Sequence, residues 1–468
     1  MVICPGCGAG MRFDIATQKL KCDFCGTSEE ISSASAGREA RAEGMAGPID
    51  PDEMTATSYS CPQCGGEILS MNQEAASFCS FCGASVVLEG KLVQTKKPKY
   101  IIPFQKTKED CKNIYGKLTK RAWFAPKELK DPEYLERFRG IYLPFWTYDV
   151  SQKGKVTLTG TRESGNYTEH LQCSCDLDAA YDGISYDASS AFNDELCSFI
   201  TPFNRSDIKD FHEGYMSGFY ADVADVDSTV YGNDALEDAN KESMKKIRDK
   251  YPGVHIKEPE NMTGRFHTRL EGVWSAMYPV WFLTYRSKDR VAYAVVNGET
   301  GKIAADLPVD RRKFLIGSLL LALPIFLLIT LLPTITAKNL LIASVILAVA
   351  SFVMYLLSSS EIRRRELRLD DKGYQSKYPK MNAAGKGART AGGGFLSVLR
   401  TILPLLGAVA GILIRILNPV SDVFYYTGTI LIFLCICFTL TGLLGRFNLL
   451  TTRPIPELFE REGGDDRA

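Results

Sequence analysis

Cys4-Pro5-Gly6-Cys7 followed by Cys22-Asp23-Phe24-Cys25-Gly26 returns further along the chain as Cys61-Pro62-Gln63-Cys64-Gly65 followed by Cys79-Ser80-Phe81-Cys82-Gly83. Cys7 to Cys22 is the same interval as Cys64 to Cys79, so the stretch is an internal repeat. Two residues between paired cysteines bend the backbone until both sulfurs face one centre. The glycine after each pair enters positive φ at little cost, because it has no Cβ. Two such knuckles per copy supply four thiolates, the donor set of a tetrahedral Zn²⁺.

The reading is therefore two zinc ribbons, one holding Cys4, Cys7, Cys22 and Cys25, the other Cys61, Cys64, Cys79 and Cys82. Short β-like segments, Met11-Arg12-Phe13 and Lys19-Leu20-Lys21, predict a hairpin that returns the second knuckle to the first. A unit this small buries little core, so metal binding supplies most of its folding energy, roughly 10–16 kcal/mol in comparable peptides. Every ligand position is a cysteine and none is left open, so the two metal ions are expected to be structural. Iron also suits four thiolates. The remaining cysteines, Cys111, Cys173, Cys175, Cys197, Cys435 and Cys437, have no comparable spacing. Thiolates kept for metal need a reducing compartment, which predicts a cytoplasmic location.

Outward from the repeat, the chain of 468 residues divides by composition. Lys+Arg and Asp+Glu are both 55, a balance that argues against a protein built chiefly to coat nucleic acid. No basic segment followed by an apolar one precedes Cys4, so no signal peptide is expected. Ribbon 1 takes residues 1–30. Residues 31–57 are rich in Ala, Ser, Gly and Glu and predict a flexible linker, on which the ribbons move relative to each other. Ribbon 2 takes residues 58–90, and residues 91–310 form a cytoplasmic α+β domain.

In that domain three phrases recur: Tyr100-Ile-Ile-Pro103-Phe104, Tyr142-Leu-Pro144-Phe145-Trp146 and Tyr278-Pro279-Val280-Trp281. Aromatic and β-branched residues around a proline predict edge strands or strand starts. Strands are predicted at Lys155–Thr161, Ala276–Arg286 and Val291–Val296, and a turn at Asn297-Gly298. Helices are predicted at Lys108–Ala122, Pro132–Arg137 and Asp234–Lys250. No phosphate loop and no H-E-x-x-H occurs, and His170, His212, His255 and His267 are scattered. No catalytic residue is assigned, and the protein is expected not to be an enzyme. Asp222, Asp225 and Asp227 lack the Gly and terminal Glu of a calcium loop, and Cys173-Ser-Cys175 lacks redox spacing. Lys91, Lys96, Lys97, Lys99, Lys106, Lys108 and Lys112 crowd the start of the domain, as a solvated face or as a patch for nucleic acid or anionic lipid.

The last third is apolar. The runs Phe314–Pro333, Leu340–Leu357, Phe395–Leu417 and Val423–Leu444 each approach the ~20 residues that cross a bilayer. Their short connections predict two helical hairpins, at 311–358 and 395–446, a basic cytoplasmic loop at 359–394 and a tail at 447–468. Arg311, Arg312, Lys313, Arg363, Arg364, Arg365, Arg368, Lys386, Arg389, Arg446 and Arg453 flank the runs on one side, while the opposite connections hold only Lys338. Lys and Arg stay cytoplasmic, so four spans with both chain ends in the cytoplasm are expected. Arg400 and Arg415 lie near span ends and are expected to snorkel. No span carries a central Asp, Glu or His, so no ion relay is expected.

The paired ribbons, with Tyr100-Ile-Ile-Pro-Phe104, Phe124-Ala-Pro-Lys127, Gly140-Ile-Tyr-Leu-Pro-Phe-Trp146 and Asn297-Gly-Glu-Thr-Gly-Lys302, resemble a bacterial family of transcription-factor-IIB-type zinc-ribbon proteins. Some members carry labels borrowed from primosomal helicases, for which these residues give no support. The resemblance covers about the first two-thirds of the chain plus a hydrophobic tail, and the eight CxxC cysteines match position by position. It implies a membrane anchor gathering PspA-like or SPFH (flotillin-like) proteins at the bilayer, in envelope stress. The expectation is a multidomain scaffold with two small β zinc ribbons, an α+β middle domain and a four-helix transmembrane region. Its partners are the lipid bilayer and cytoplasmic proteins. The alternative is a membrane-tethered nucleic-acid binder.

Overall fold

The computed structural model describes residues 2–31, 53–71, 78–85, 88–192, 194–330, 336–369, 395–456 and 458. Most of the predicted linker, the basic loop from 370 to 394 and the tail beyond 458 lie outside the described residues. Ribbon 1 is a three-stranded sheet of β1 (Met11–Asp14), β2 (Lys19–Cys22) and β3 (Ser28–Glu29). The remaining strands form one 13-stranded sheet.

Ribbon 2 contributes β4 (Glu53–Ser60), β5 (Glu67–Ser70) and β6 (Glu89–Lys96) to that sheet. Then follow β7 (Tyr100–Ile101), the long hairpin β8 (Arg139–Ser164) and β9 (Tyr167–Asp187), β10 (Lys209–Asp210), β11 (Tyr220–Asp222) and β12 (His255–Ile256). β13 (Thr268–Ser287), β14 (Arg290–Asn297) and β15 (Ile303–Ala305) complete the middle domain, and β16 (Arg453–Pro454) returns from the C-terminal region. The path runs β10-β7-β13-β8-β11-β5-β4-β6.

Two expectations change here. Residues 53–57 are strand rather than linker, so ribbon 2 begins earlier and is continuous with the domain sheet through β5 and β11. The ribbons are also not free arms. Ribbon 1 lies on the same domain: Phe13 meets Tyr215 edge-on at 5.4 Å, its N–H donates to Ser217 O at 2.9 Å, and Gln18 Nε2 donates to Phe104 O at 2.8 Å. Met11, Phe13 and Leu20 share one buried cluster with Phe104, Tyr142, Phe219 and Trp281. Alternation along β1 and β2 places these side chains on one face, and the face needs a cover that a ribbon of this size cannot supply alone.

The proline phrases also depart from expectation. β8 and β13 are central, antiparallel strands, and their prolines lie inside them: Tyr142 faces Pro279 and Pro144 faces Met277. Each proline falls where its strand changes neighbour. On its outer side β8 pairs β11 through Ile141 and Tyr142, and β9 from Phe145 onward. β13 pairs β7 through Ala276 and Met277, and β14 from Val280 onward. The missing N–H is therefore spent in a gap of the ladder, and the free carbonyls find loops: Pro144 O accepts from Ala188 N and Pro279 O from Gly298 N, both at 2.8 Å.

The predicted helices appear as α1 (Lys108–Arg121), capped by Thr107 in a capping box with Asp110, and α3 (Gly232–Lys250), with α2 (Asp194–Ile200) between them. Pro132–Leu135 is a single turn. The apolar third gives α4 (Arg311–Thr330), α5 (Ala337–Leu369), α6 (Phe395–Leu417) and α7 (Asp422–Leu450). Helix α5 continues past 358 into the region expected to be loop. Three helices among the described residues are long and apolar enough to cross a membrane: Ala337–Ser358, Val398–Leu417 and Asp422–Leu450. These three pack on one another around Leu341, Ala348, Ala408, Tyr425 and Ile432. Outward-facing Leu347, Leu417, Leu431 and Phe433 are exposed, the inverse of a soluble bundle.

Candidate metal centres and the sheet–bundle junction

The eight cysteines assemble as two sets. In ribbon 1, Cys4 Sγ and Cys25 Sγ are 3.5 Å apart, as are Cys7 Sγ and Cys22 Sγ. In ribbon 2, Cys61 to Cys82 is 3.8 Å and Cys64 to Cys79 is 3.6 Å. Within each set all four sulfurs lie within 4.8 Å of one another. Thiolates bound at about 2.3 Å on a tetrahedral ion sit about 3.8 Å apart, so both sets fit a metal ion. The separations are far too long for disulfides. The knuckle backbone makes the arrangement: Gly8 N donates to Cys4 O and Gly26 N to Cys22 O, both at 2.9 Å, and ribbon 2 repeats these bonds at Gly65 and Gly83. The four glycines have φ between 69° and 76°.

The two sets differ in their surroundings. All four ribbon 2 cysteines are buried, whereas Cys7 and Cys25 of ribbon 1 are exposed. Within each set one thiol is lowered while others are raised, Cys7 in ribbon 1 and Cys64 and Cys79 in ribbon 2. The Thr27 hydroxyl, 3.1 Å from Cys25 Sγ, pulls that thiol down to about 6. Hydrogen bonding from Cys64, with Cys79 adding to it, pulls Cys82 down to about 2.

Ribbon 2 is fastened to the sheet through its knuckle carbonyls. Thr284 Oγ1 donates to Ser80 O, and Tyr293 OH donates to Phe81 O at 2.7 Å. Thr284 and Tyr293 are directly opposed in the β13–β14 register. A third carbonyl, Cys64 O, accepts from Leu458 N at 2.6 Å.

Leu458 belongs to the segment that follows the last apolar helix, and this junction was not anticipated from sequence. Asn448 near the end of α7 exchanges two 2.8 Å hydrogen bonds with the backbone of Val309, just before α4. Arg290 of β14 donates to the carbonyls of Leu449 and Thr452, at 3.1 and 2.7 Å, supplying donors to the negative end of the helix. β16 then pairs with β14, and Arg453 makes a 3.2 Å ion pair with Asp306, both side chains below a tenth exposed. Arg453 reads in sequence as one more basic flank. Its aspartate lies far back in the chain, so no local pattern announces the pair. Arg446, also expected as a flank, is buried against Tyr355 of α5, its guanidinium 3.7 Å from the ring centre. Arg400 lies against Gly442, and Arg415 is exposed.

The other sequence candidates do not converge. Asp222 accepts from the Ser189 hydroxyl and Asp225 from the Ser190 hydroxyl, both at 2.5 Å, while Asp227 holds Thr229 at 2.7 Å. Asp222 and Asp225 fasten one segment through the adjacent Ser189 and Ser190, and Asp227 closes its own turn on Thr229. Cys173 is buried in a cluster with Val156 and Phe266. The lysine run is dispersed: Lys108 and Lys112 pair with Glu136, and Lys99 stacks on Trp274 at 3.1 Å.

The chain is similar to a Bacillus subtilis (strain 168) protein described as uncharacterized protein YdjG, 28% identical over 326 residues. Those residues are 66% of this chain and 90% of that protein. No family model matches, and no solved structure matches.

Proposed function

We propose that this protein is a non-enzymatic membrane scaffold: a metal-folded ribbon-and-sheet body, held at the cytoplasmic face by its apolar helices, that binds other proteins. The observation that carries this reading is the return of the chain through β16 to the sheet and to Cys64 of ribbon 2. A tail that served only to anchor would need no such stitching. Here a force on the ribbons is passed to α7 through backbone pairing and a buried ion pair.

The junction also bears on topology. The chain leaves the sheet after β15 and rejoins it at Arg453. Two points on one body are joined by an even number of crossings, and three spans alone leave an odd one. α4, apolar from Phe314 and starting beside the sheet, supplies the fourth. Basic flanks at the sheet end favour the cytoplasm for that side. The metal is read as structural zinc, because four cysteines complete its coordination and leave no position for water. Dispersal of the lysines weighs against nucleic acid as the partner. Cytoplasmic proteins, of which PspA-like and SPFH-type assemblies are candidates, suit the exposed ribbon 1 better. Gentle solubilisation with cross-linking tests the reading: a reproducible protein partner is expected, and its absence across several detergents overturns it.

A further inference from the structure

The repeat contains its own control. Ribbon 2 shows what a knuckle edge of this sequence binds, because all three of its outward carbonyls are occupied: Ser80 O by Thr284, Phe81 O by Tyr293 and Cys64 O by Leu458 N. The equivalent atoms of ribbon 1 are Asp23 O, Phe24 O and Cys7 O. None of them accepts a hydrogen bond among the described residues. The same backbone, fixed by the same cysteine spacing, is docked in one copy and bare in the other.

The aromatic side chain tells the same story and gives the cause. Phe81 is 3% exposed and Phe24 is 89% exposed. Phe81 folds back over its own ribbon, onto Gly66. A Cβ at Gly66 would stand 2.5 Å from Phe81 Cδ2, closer than real carbon atoms approach. Ribbon 1 has Ala9 at that position, since Ala9 O accepts from Cys4 N as Gly66 O accepts from Cys61 N. Ala9 carries the Cβ that Gly66 lacks, so Phe24 cannot fold back and projects into solvent. The projecting phenylalanine and the carbonyls beside it leave an apolar and a polar contact side by side for a partner.

We propose that the knuckle edge of ribbon 1 is a docking site for the β-sheet surface of a partner protein, one that presents two hydroxyl side chains on directly opposed positions of neighbouring strands. The pair reproduces Thr284 and Tyr293, whose opposition in the β13–β14 ladder sets the spacing the carbonyls accept. Beside that pair the partner offers an apolar pocket, which takes Phe24 outward where Phe81 turns inward. In a second copy of this chain Thr284 and Tyr293 are themselves covered by that copy's ribbon 2, and an adduct from position 24 to the exposed opposed pair Thr157 and Ser174 of another copy would overturn the proposal of a separate partner. Asp23, exposed next to Phe24, lies 3.7 Å from Arg12, so the rim carries an ion pair. The proposal rests on the scaffold reading and names the site that reading uses.

The test replaces Phe24 with photoreactive p-benzoylphenylalanine in the full chain, in its own cells, with Trp123, which is 78% exposed and remote from the ribbon in sequence, replaced as a control. An adduct is expected at position 24 with one protein, mapping to a strand beside an opposed pair of Ser, Thr or Tyr. Removing that pair from the partner, or introducing Phe24→Ala or Ala9→Gly here, is expected to weaken binding at least ~10-fold, as for an aromatic anchor. Metal content stays at two ions per chain, which separates lost docking from lost folding. Adducts with lipid, nucleic acid or a helical surface, or unchanged affinity in Phe24→Ala, overturn the proposal. Adducts at Trp123 without any at position 24 overturn the site and leave the scaffold reading standing. Adducts at neither position overturn both.

Discussion

Glu299 lies in the turn Asn297-Gly298-Glu299-Thr300-Gly301, where Asn297 Oδ1 accepts from the N–H groups of Glu299 and Thr300, both at 2.9 Å. The Asn-Gly pair made that turn legible in the sequence; the burial of its glutamate was not, because it depends on Asn204, whose N–H reaches Glu299 Oε2 at 2.9 Å. Burial pushes the carboxyl up to about 7 against the opposing Asn204 bond, with Asp207 adding to the rise. A carboxyl raised in the fold keeps its proton there after it has ionised in the unfolded chain. Its contribution is therefore full below the ordinary value of 4.5, falls as pH rises toward about 7 and is level above that. Thermal midpoints are expected to drop across that window in the native protein and to flatten in Glu299→Gln. A native midpoint independent of pH contradicts this. Gly66 gives a second residue-scale prediction: Gly66→Ala drives a Cβ into Phe81 and should cost about 1–3 kcal/mol, as overpacking does. Ala9→Gly, its mirror in ribbon 1, should leave stability intact, and calorimetry on the two variants distinguishes them.

At the scale of elements, α1, α3 and parts of β8, β13 and β14 were readable because period and caps are local, whereas β9 to β12, β15 and α2 were not read from the sequence. The central placement of β8 and β13 was not. A proline normally demotes a strand to an edge, and only the change of neighbour at Pro144 and Pro279 lifts that rule. The two four-cysteine groups that could each hold a metal ion were legible, since CxxC spacing encodes its own geometry. What spacing could not give was the difference in environment. Exposed Cys7 and Cys25 predict that a chelator at neutral pH strips ribbon 1 faster than ribbon 2, seen as two kinetic phases of metal release. A single phase for both ions contradicts this. β16 carries its own prediction. Asp306→Ala leaves Arg453 without its carboxylate in a buried place, and removal of one partner of a buried pair costs roughly 3–5 kcal/mol. Limited proteolysis should then cut near Arg453 in the variant and spare the native chain.

For the whole molecule, composition divides the chain into a charged body and an apolar third, and the structure shows how the two are joined. Asn448 on Val309, Arg290 on the end of α7, Arg453 on Asp306 and Leu458 on Cys64 form one continuous seam from bundle to ribbon. Every one of these partners is distant in sequence, which is why the ends of the body read as separate arm and tail. The seam makes the proposed topology testable: under the four-span proposal, a body joined to the bundle at both Val309 and Arg453 has both chain ends on one side of the membrane. Reporter fusions at residue 1, at residue 468 and within the connection 418–421 measure this directly. The account predicts that the two terminal reporters are cytoplasmic and the one at 418–421 is on the opposite face. Terminal reporters on opposite faces would contradict it.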